Sequence, residues 1–540
     1  MTKVLDGAHL DAMHTGDIHG ALGTIARNDT ASRKGLWPKL VAFAAIVGPG
    51  LIVMVGDNDA GAFSTYSQAG QNYGTSLLWT LLLLIPVLYV NQEMVLRLGA
   101  VTRVGHARLI LERFGKFWGA FSVVDLLLLN ALTIVTEFIG ISLALDYFGL
   151  PKIAGVAVAA VLVMAGAATG NFRRFERFAL VLCFGSLLLI PVLLMVHAPI
   201  GQATHDFFIP RMPKGADLGA VMLLIIGIVG TTVAPWQLFF QQSYVIDKRI
   251  TTRWLNYERW DLALGIVFVI FGAFAMFSFT SATFAGHKEF GNFQDAGAVA
   301  AGIARYVGRL PGDLFALALM DAAIIGAAAV SLSTAYAIGD VMSLHHSLHR
   351  KVGDAPVFYL VYAGLIAIAA AIVLIPGSPL GLLTNAVQVL AGVLLPSATV
   401  FLLLLSNDKP VLGPWANTRR TNVFTGIVIA ALVMLSVILT ASTVFPTISA
   451  VQILWILGAG AALTAIAGVW MAFIPSEASP DDRYDRARRH EWQMPPLTSL
   501  PKARLTSINR FWLVVLRGYL VVAVGLVVFR VAQIALHHGA

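Results

Sequence analysis

The sequence predicts an all-α integral membrane protein: a 5+5 inverted repeat whose two halves each begin with a broken helix, followed by additional C-terminal membrane helices. Three observations carry that prediction. The 540 residues are 58% hydrophobic and only 12% charged, about half the charge fraction of a soluble domain. The polar sextet Gly56-Asp57-Asn58-Asp59-Ala60-Gly61 interrupts an otherwise apolar segment. A second interruption, Gly230-Thr231-Thr232-Val233-Ala234-Pro235-Trp236-Gln237, follows five hydrophobic segments later.

Apolar runs of 18 or more residues read as membrane-spanning helices. Spans are expected at 40–69, 77–96, 118–145, 153–170, 178–197, 218–245, 260–284, 314–340, 356–376, 381–406, 423–444, 450–474 and 511–536. Because five is an odd number, the second group of five starts on the opposite face and the repeats are inverted. In that architecture, half-helix ends and freed carbonyls meet the substrate near the bilayer midplane. No sequence identity between the halves is visible, so the repeat rests on topology.

The formal charge of +8 is distributed by membrane side. With the N-terminus inside, Arg97, Arg103, Arg108, Arg113, Lys116, Arg173, Arg174, Arg177, Lys248 and Arg249 fall on the cytoplasmic face. Opposite loops hold few cations, among them Lys152, Arg211 and Lys214. This bias fixes a multi-pass orientation in a plasma or bacterial inner membrane and needs no nucleic-acid partner.

Residues 1–35 read as a disordered cytoplasmic tail without apolar periodicity. A transport core over 36–406 is expected, with repeats at about 40–197 and 218–406, then two further membrane helices within 407–474. Residues 475–510 combine mixed charge with several prolines and read as a cytoplasmic linker, and 511–536 as a last membrane helix. The single cysteine, Cys183, lies in an apolar run and reads as a small buried hydrophobe.

A charged side chain near the bilayer centre costs roughly 2.5–3.5 kcal/mol on insertion scales. Asp57 and Asp59, with Asn58 between them, therefore need a compensating partner; read functionally, their oxygen donors suit hard divalent ions. At the second break Pro235 frees a carbonyl near Thr231, and Gln237 offers an amide oxygen. Glu137 sits midway through the third span and is a candidate for the ion path. Asp125, Asn130, Asp321, Asn385 and Gln388 are expected to bond between helices, with Gln388 the best further ligand candidate. All 13 histidines fall in tails, loops or span ends, which argues against a histidine proton relay. His345, His346 and His349 are expected at the interface. No nucleophile–base pair or nucleotide loop marks an enzyme.

At these residues the chain resembles the NRAMP family of divalent-metal transporters. The likeness runs from Gly48-Pro49-Gly50 through Gln68-Ala69-Gly70, Arg97-Leu98-Gly99 and Glu137-Phe138-Ile139-Gly140 to Gly230–Pro235, Gln388 and Leu395-Pro396, covering roughly 40–410. The resemblance implies a LeuT-like fold, no cofactor, and a metal ion as transported substrate. The family's Asp-Pro-Gly-Asn aligns with Asp59-Ala60-Gly61-Ala62, and its Met-Pro-His with Ala234-Pro235-Trp236. Two family histidines implicated in proton movement align with Trp236 and Gln241, and a third-helix aspartate with Ile134. This pattern is most similar to the NRAMP-related magnesium transporters, which carry Mg²⁺ and Mn²⁺ without evident proton coupling. Loss of the methionine sulfur removes a soft ligand. The resulting expectation is an importer of Mg²⁺ and Mn²⁺ working by alternating access as a uniporter. Asp59 would be its central ligand, assisted by Asp57, Asn58, Gln237 and the carbonyls of Gly56 and Thr231. Ala234 would face the ion, and Trp236, Glu137 and Gln388 would line the path. The alternative is a proton-coupled Mn²⁺/Fe²⁺ importer.

Overall fold

Inside a bilayer no water satisfies free backbone groups, so a spanning chain must be helical. The computed structural model describes residues 9–376, 380–444 and 448–473, with residues 489 and 492–501 and a few positions up to 518. Among the described residues, nine helices are long and apolar enough to cross a membrane. The expected linker falls largely, and the expected last helix almost entirely, outside the described residues.

The packing shows the inverted pairing directly. The third long helices of the two halves, Lys116–Tyr147 and Arg309–Met342, lie along one another. The broken first helix of the first half packs on Leu255–Phe284, the second helix of the other half. Reciprocally, Pro235–Asp247 of the second broken helix packs on Trp79–Thr102. Helix Leu218–Thr232 runs against Leu380–Ser406, and Arg419–Val444 and Ala450–Phe473 follow outside this core.

The first span differs from the expected 40–69. Helix Leu36–Ile46 ends at Val47 and bends by 57° into Pro49–Val55, and the chain resumes as Ala60–Tyr73 after the break at 56–59. Pro49 lacks an N–H and Gly48 adopts φ +153°, so the helix cannot run straight through. Both exposed helix ends are satisfied by buried charges. Asp261 accepts from the N–H groups of Gly48, Gly50 and Leu51 at 3.1, 2.7 and 3.3 Å. Lys248 Nζ donates to the carbonyls of Ile46 and Val47 at 2.5 and 2.9 Å and to Glu176 at 2.6 Å. A carboxylate at a helix start and an ammonium at a helix end complement the unpaired backbone groups there.

Residues 9–35 correct the expectation of a disordered tail. Ile18–Gly20 pairs antiparallel with Gly23–Ile25, with Ile18 opposite Ile25. Gly20 and Gly23 lie flush on helix Leu36–Ile46; a Cβ at Gly20 would come within 1.9 Å of the Ala45 carbonyl oxygen. The segment is held through its backbone. Arg173 donates to the carbonyls of Gly20 and Gly23, Arg177 to that of Ala21, and Arg249 to those of Met13 and Asp17. Composition registers too few apolar residues to predict folding, but it cannot register backbone anchoring by arginines some 150–230 positions away. These arginines gather at one end of the molecule.

The intramembrane polar residues mostly bond between helices, as expected. Asn130 donates to Thr334 at 2.8 Å, Ser64 to Asn385 at 3.1 Å and Ser397 to Asp125 at 3.5 Å. Asp321 lies against Gly185, where a Cβ would stand 1.9 Å from its carboxylate. Cys183 is buried and unbridged.

Close backbone approach at Gly230 sets the second break against helix Leu380–Ser406. A Cβ there would meet the Gln388 carbonyl oxygen at 2.2 Å and the Gly392 nitrogen at 2.4 Å. Neither backbone atom can yield cheaply, so Gly230→Ala is expected to cost about 1–3 kcal/mol. It should lower the melting temperature in detergent, whereas Gly426→Ala, with open space at its Cβ, should not. Equal melting of the two variants would contradict the packing.

Candidate functional site

Both helix breaks follow from local sequence. Helix Pro49–Val55 closes at Gly56, whose N–H still reaches the Ile52 carbonyl, and the chain leaves the helix over residues 57–59. Asp59 is extended (φ −75°, ψ −175°) and caps helix Ala60–Tyr73, accepting from the Ala62 N–H at 2.9 Å. At the second break Leu218–Thr232 closes at Val233, Ala234 is extended, and Pro235 opens helix Pro235–Asp247. Proline has no N–H to offer the Thr231 carbonyl four residues earlier. The two breaks thus present a half-helix N-terminus bearing Asp59 and a half-helix C-terminus bearing a free carbonyl.

Asp59 has a carboxyl neighbour. Glu137, from helix Lys116–Tyr147, accepts from the Ala60 N–H at 3.1 Å and lies beside the Asp59 carboxyl. Gly326 makes room for both, since a Cβ there would stand 2.7 Å from Glu137 Oε2 and 3.0 Å from Asp59 Cβ. The second Glu137 oxygen has no protein partner.

Asp57 is engaged differently. Gln237 Nε2 donates to Asp57 Oδ1, and Gln92 Nε2 donates to Gln237 Oε1 at 2.7 Å. An ionised carboxylate only accepts hydrogen bonds, so the amide nitrogen of Gln237 faces Asp57 and its oxygen faces Gln92. The oxygen expected to ligate a metal is therefore occupied in this conformation. Asp57 Oδ2 remains unpartnered. Gln92 was missed in the sequence, although the polar triplet Asn91-Gln92-Glu93 within an apolar span was a visible signal.

Asn58 does not turn toward its acidic neighbours. Its Nδ2 donates to the Val269 carbonyl at 3.1 Å and packs on Gly272 of helix Leu255–Phe284, leaving Oδ1 unpartnered. Helix Leu255–Phe284 takes the amide because Gly272 has no side chain to exclude it.

Gln388 joins the two breaks. Its amide lies over Gly61, where a Cβ would fall 1.8 Å from Nε2, while its backbone abuts Gly230. The Trp236 ring lies 3.7 Å from the Cβ position of Gly56, its carbonyl accepts from Ser333 at 2.9 Å, and its indole N–H is unpartnered. Tyr66 and Thr232 share a hydroxyl bond of 2.7 Å between the two broken helices. Asp57, Asp59, Glu137, Thr231 and Gln237 are at most 3% exposed and Ala234 is 6% exposed, so this conformation is occluded. Thr231 Oγ1 and both amide atoms of Gln241 also lack protein partners. A buried polar atom left unpaired costs about 1–3 kcal/mol, so the orphaned oxygens are suited to a hydrated ion. Among the described residues no three His, Cys, Asp or Glu side chains converge as a preformed metal cluster.

The histidines lie elsewhere. His106 bonds Gln242 at 2.9 Å, and His346 pairs with Asp340 at 2.8 Å. His346, just past the end of helix Arg309–Met342, is 1% exposed beneath residues 9–14, with His14 bonding its carbonyl.

Comparison with known proteins places this geometry in a family. Residues 50–442 match the Nramp model, described as natural resistance-associated macrophage protein-like. The divalent metal cation transporter MntH of Ralstonia nicotianae is 29% identical over 407 residues, spanning 72% of this chain and 88% of that protein. MntH of Staphylococcus aureus is 24% identical over 429 residues, spanning 74% and 92%. Among solved structures, a manganese transporter of Eremococcus coleocola superposes with TM-score 0.62 at 21% identity, over 82% of this chain and 95% of that one. A single-residue mutant of the same transporter gives TM-score 0.63 at 20% identity, over 84% and 96%. These structures share the LeuT-like arrangement of the helices described above, and the family comprises multi-pass membrane transporters that use no cofactor. With its two paired helix breaks and its family match over most of its length, the chain belongs to the Nramp family.

Proposed function

We propose that this transporter carries divalent metal cations, Mg²⁺ and also Mn²⁺, into the cell by alternating access without coupling to protons. The observation that carries the reading is the donor set at the breaks: a carboxylate on a half-helix N-terminus, a freed carbonyl opposite, and Ala234 where sulfur would sit. The relatives named as divalent metal cation transporters support the cargo class. Asp59 is the central ligand in this proposal, with the carbonyls of Gly56 and Thr231. Asp57 and Gln237 act as a hydrogen-bonded pair, and Gln237 reaches the ion through Oε1 only on leaving Gln92. Asn58 contributes after release from Val269. Mg²⁺ gives up water reluctantly and is usually held by one or two carboxylates with waters retained, which suits an all-oxygen site.

The residues at the family's relay positions support uncoupled transport. Trp236, Gln241 and Ile134 do not titrate, and no histidine among the described residues lines either break. Two positive charges crossing 100 mV release roughly 4.6 kcal/mol, enough to drive uptake. One observation favours a second reading, a proton-coupled Mn²⁺ importer: Glu137 stands beside Asp59 with an unpartnered oxygen.

Three outcomes test the proposal. Asp59→Asn is expected to reduce Mg²⁺ and Mn²⁺ uptake into proteoliposomes at least ten-fold while gel filtration and melting stay unchanged. Wild-type flux in that variant would remove Asp59 from the site.

Ala234→Met returns a soft ligand and fills volume. It should shift the Mn²⁺-to-Mg²⁺ uptake ratio upward, on the order of ten-fold. An unaltered ratio means that position 234 does not face the ion.

A pH dye trapped in proteoliposomes at clamped potential separates the two mechanisms. The lumen should hold its pH during metal entry. Acidification that scales with uptake, and disappears in Glu137→Gln, would establish the proton-coupled reading instead.

A further inference from the structure

The N-terminal segment touches both halves of the molecule at one end, and its two attachments differ in kind. The hairpin, residues 18–25, sits on helix Leu36–Ile46 with Ile18, Ala21 and Ile25 buried. It is joined to the first half through Arg173, Arg177 and Glu176, whose Oε2 accepts from the Ala21 N–H at 2.6 Å. Glu176 Oε1 in turn binds Lys248, which caps the bend leading into Pro49–Val55. The hairpin is therefore wired to the half-helix that ends at the first break.

Residues 11–17 grip the second half instead. Asp11 forms a forked pair with Arg350, at 2.8 Å to Nη2 and 2.9 Å to Nε, and accepts from the His346 N–H at 3.0 Å. His14 Nε2 contacts the His346 carbonyl at 3.1 Å, with the two rings 5.2 Å apart, edge to face. Arg249 holds the carbonyls of Met13 and Asp17 at 2.9 Å. Burial alone would raise the Asp11 carboxyl, yet Arg350, together with the N–H groups of Met13 and His346, holds it well below the usual carboxylate range.

We propose that residues 11–17 form a releasable hook that ties the first helix of one repeat to the loop following helix Arg309–Met342 of the other. On this reading the transport path opens on the N-terminal side only when the hook leaves Arg350 and His346. Rocking or gating of one repeat against the other changes distances at this end, and a hook spanning both cannot follow both. Its grip is polar and buries little apolar surface, since its described residues include no large aliphatic side chain beyond Met13. Polar contacts of this kind exchange with water at modest net cost, so release is compatible with turnover. The hairpin, fixed flush on Ala45, travels with the half-helix. A brace that never lets go is the competing interpretation.

Two arms of one experiment decide the matter, both in full-length protein carrying Cys183→Ala. Ser243 lies under the hook, 5% exposed, in a small cleft shared with Leu10, His14, Asp340 and His346. Alkylation of Ser243→Cys should be slow with the hook intact and at least ten-fold faster with Arg350→Gln added, provided melting is unchanged. Asp11→Asn, which breaks the same pair from the other side, should act alike. Equal rates in all three proteins would show that the segment does not cover this end.

In the second arm, Asp11→Cys and Arg350→Cys are joined by a short reducible bis-thiosulfonate linker in proteoliposomes. Mn²⁺ flux should stop on linking and return on reduction. Undiminished flux while linked would overturn the hook and leave a static brace. Absence of Mn²⁺ and Mg²⁺ flux before linking would count against the proposed cargo alone, because the alkylation arm still judges the hook.

Discussion

The ammonium group of Lys248 organises the region on which the candidate site depends. Fully buried, it ends helix Leu36–Ile46 by binding the carbonyls of Ile46 and Val47, and it pairs with Glu176. Asp261 starts Pro49–Val55 from the other side of the bend. Removing one member of a buried pair typically costs about 3–5 kcal/mol, because the remaining charge is stranded. The 57° bend is therefore held firmly in this conformation. It aims the half-helix carrying Gly56 and Asp57 at the centre of the bundle, and through Glu176 it anchors the N-terminal hairpin as well.

Beyond that bend the site is assembled by close approaches that only glycine permits. Gly61 admits the Gln388 amide, Gly326 admits Glu137 beside Asp59, and Gly230 lets the second break touch helix Leu380–Ser406. The three glycines lie on three different helices, and two of the contacts share helix Leu380–Ser406. Polar groups inside it are only partly satisfied: Gln92, Gln237 and Asp57 form a chain, while Asp57 Oδ2, Glu137 Oε1 and Thr231 Oγ1 are left over. In a low-dielectric interior, unpaired acceptors are expensive unless a cation or its waters fill them. Unpartnered donors lie in the same region: Trp236 Nε1, Gln241 Nε2 and Gln388 Nε2.

The same contacts describe how the conformation is closed. Trp236 covers Gly56, Tyr66 and Thr232 bridge the broken helices, and the N-terminal segment lies across one end. Gln237 cannot turn its oxygen inward without giving up Gln92, and Asn58 cannot turn without giving up Val269. Side-chain direction and helix position are thus coupled through single hydrogen bonds.

Some of this was decided by the sequence alone. Low charge and long apolar runs make a membrane bundle, because nothing else satisfies the backbone there. The polar run from Gly56 to Asp59 and the proline at 235 weaken the helix locally, and equivalent positions five spans apart identify the paired breaks. Asn130 and Asn385 as interhelical hydrogen-bonding partners follow from residue type, whereas the capping role of Asp59 appears only in the structure. Other features were left to the tertiary structure. The first span bends at Pro49 as it does because Lys248 and Asp261, about 200 positions later, cap the two helix ends there. Residues 9–35 are ordered because distant arginines take their carbonyls. An amide side chain has two faces of opposite polarity and nearly equal shape, and local pattern cannot say which way it points. Gln237 and Asn58 point as they do because Gln92 and Val269 are there to receive them.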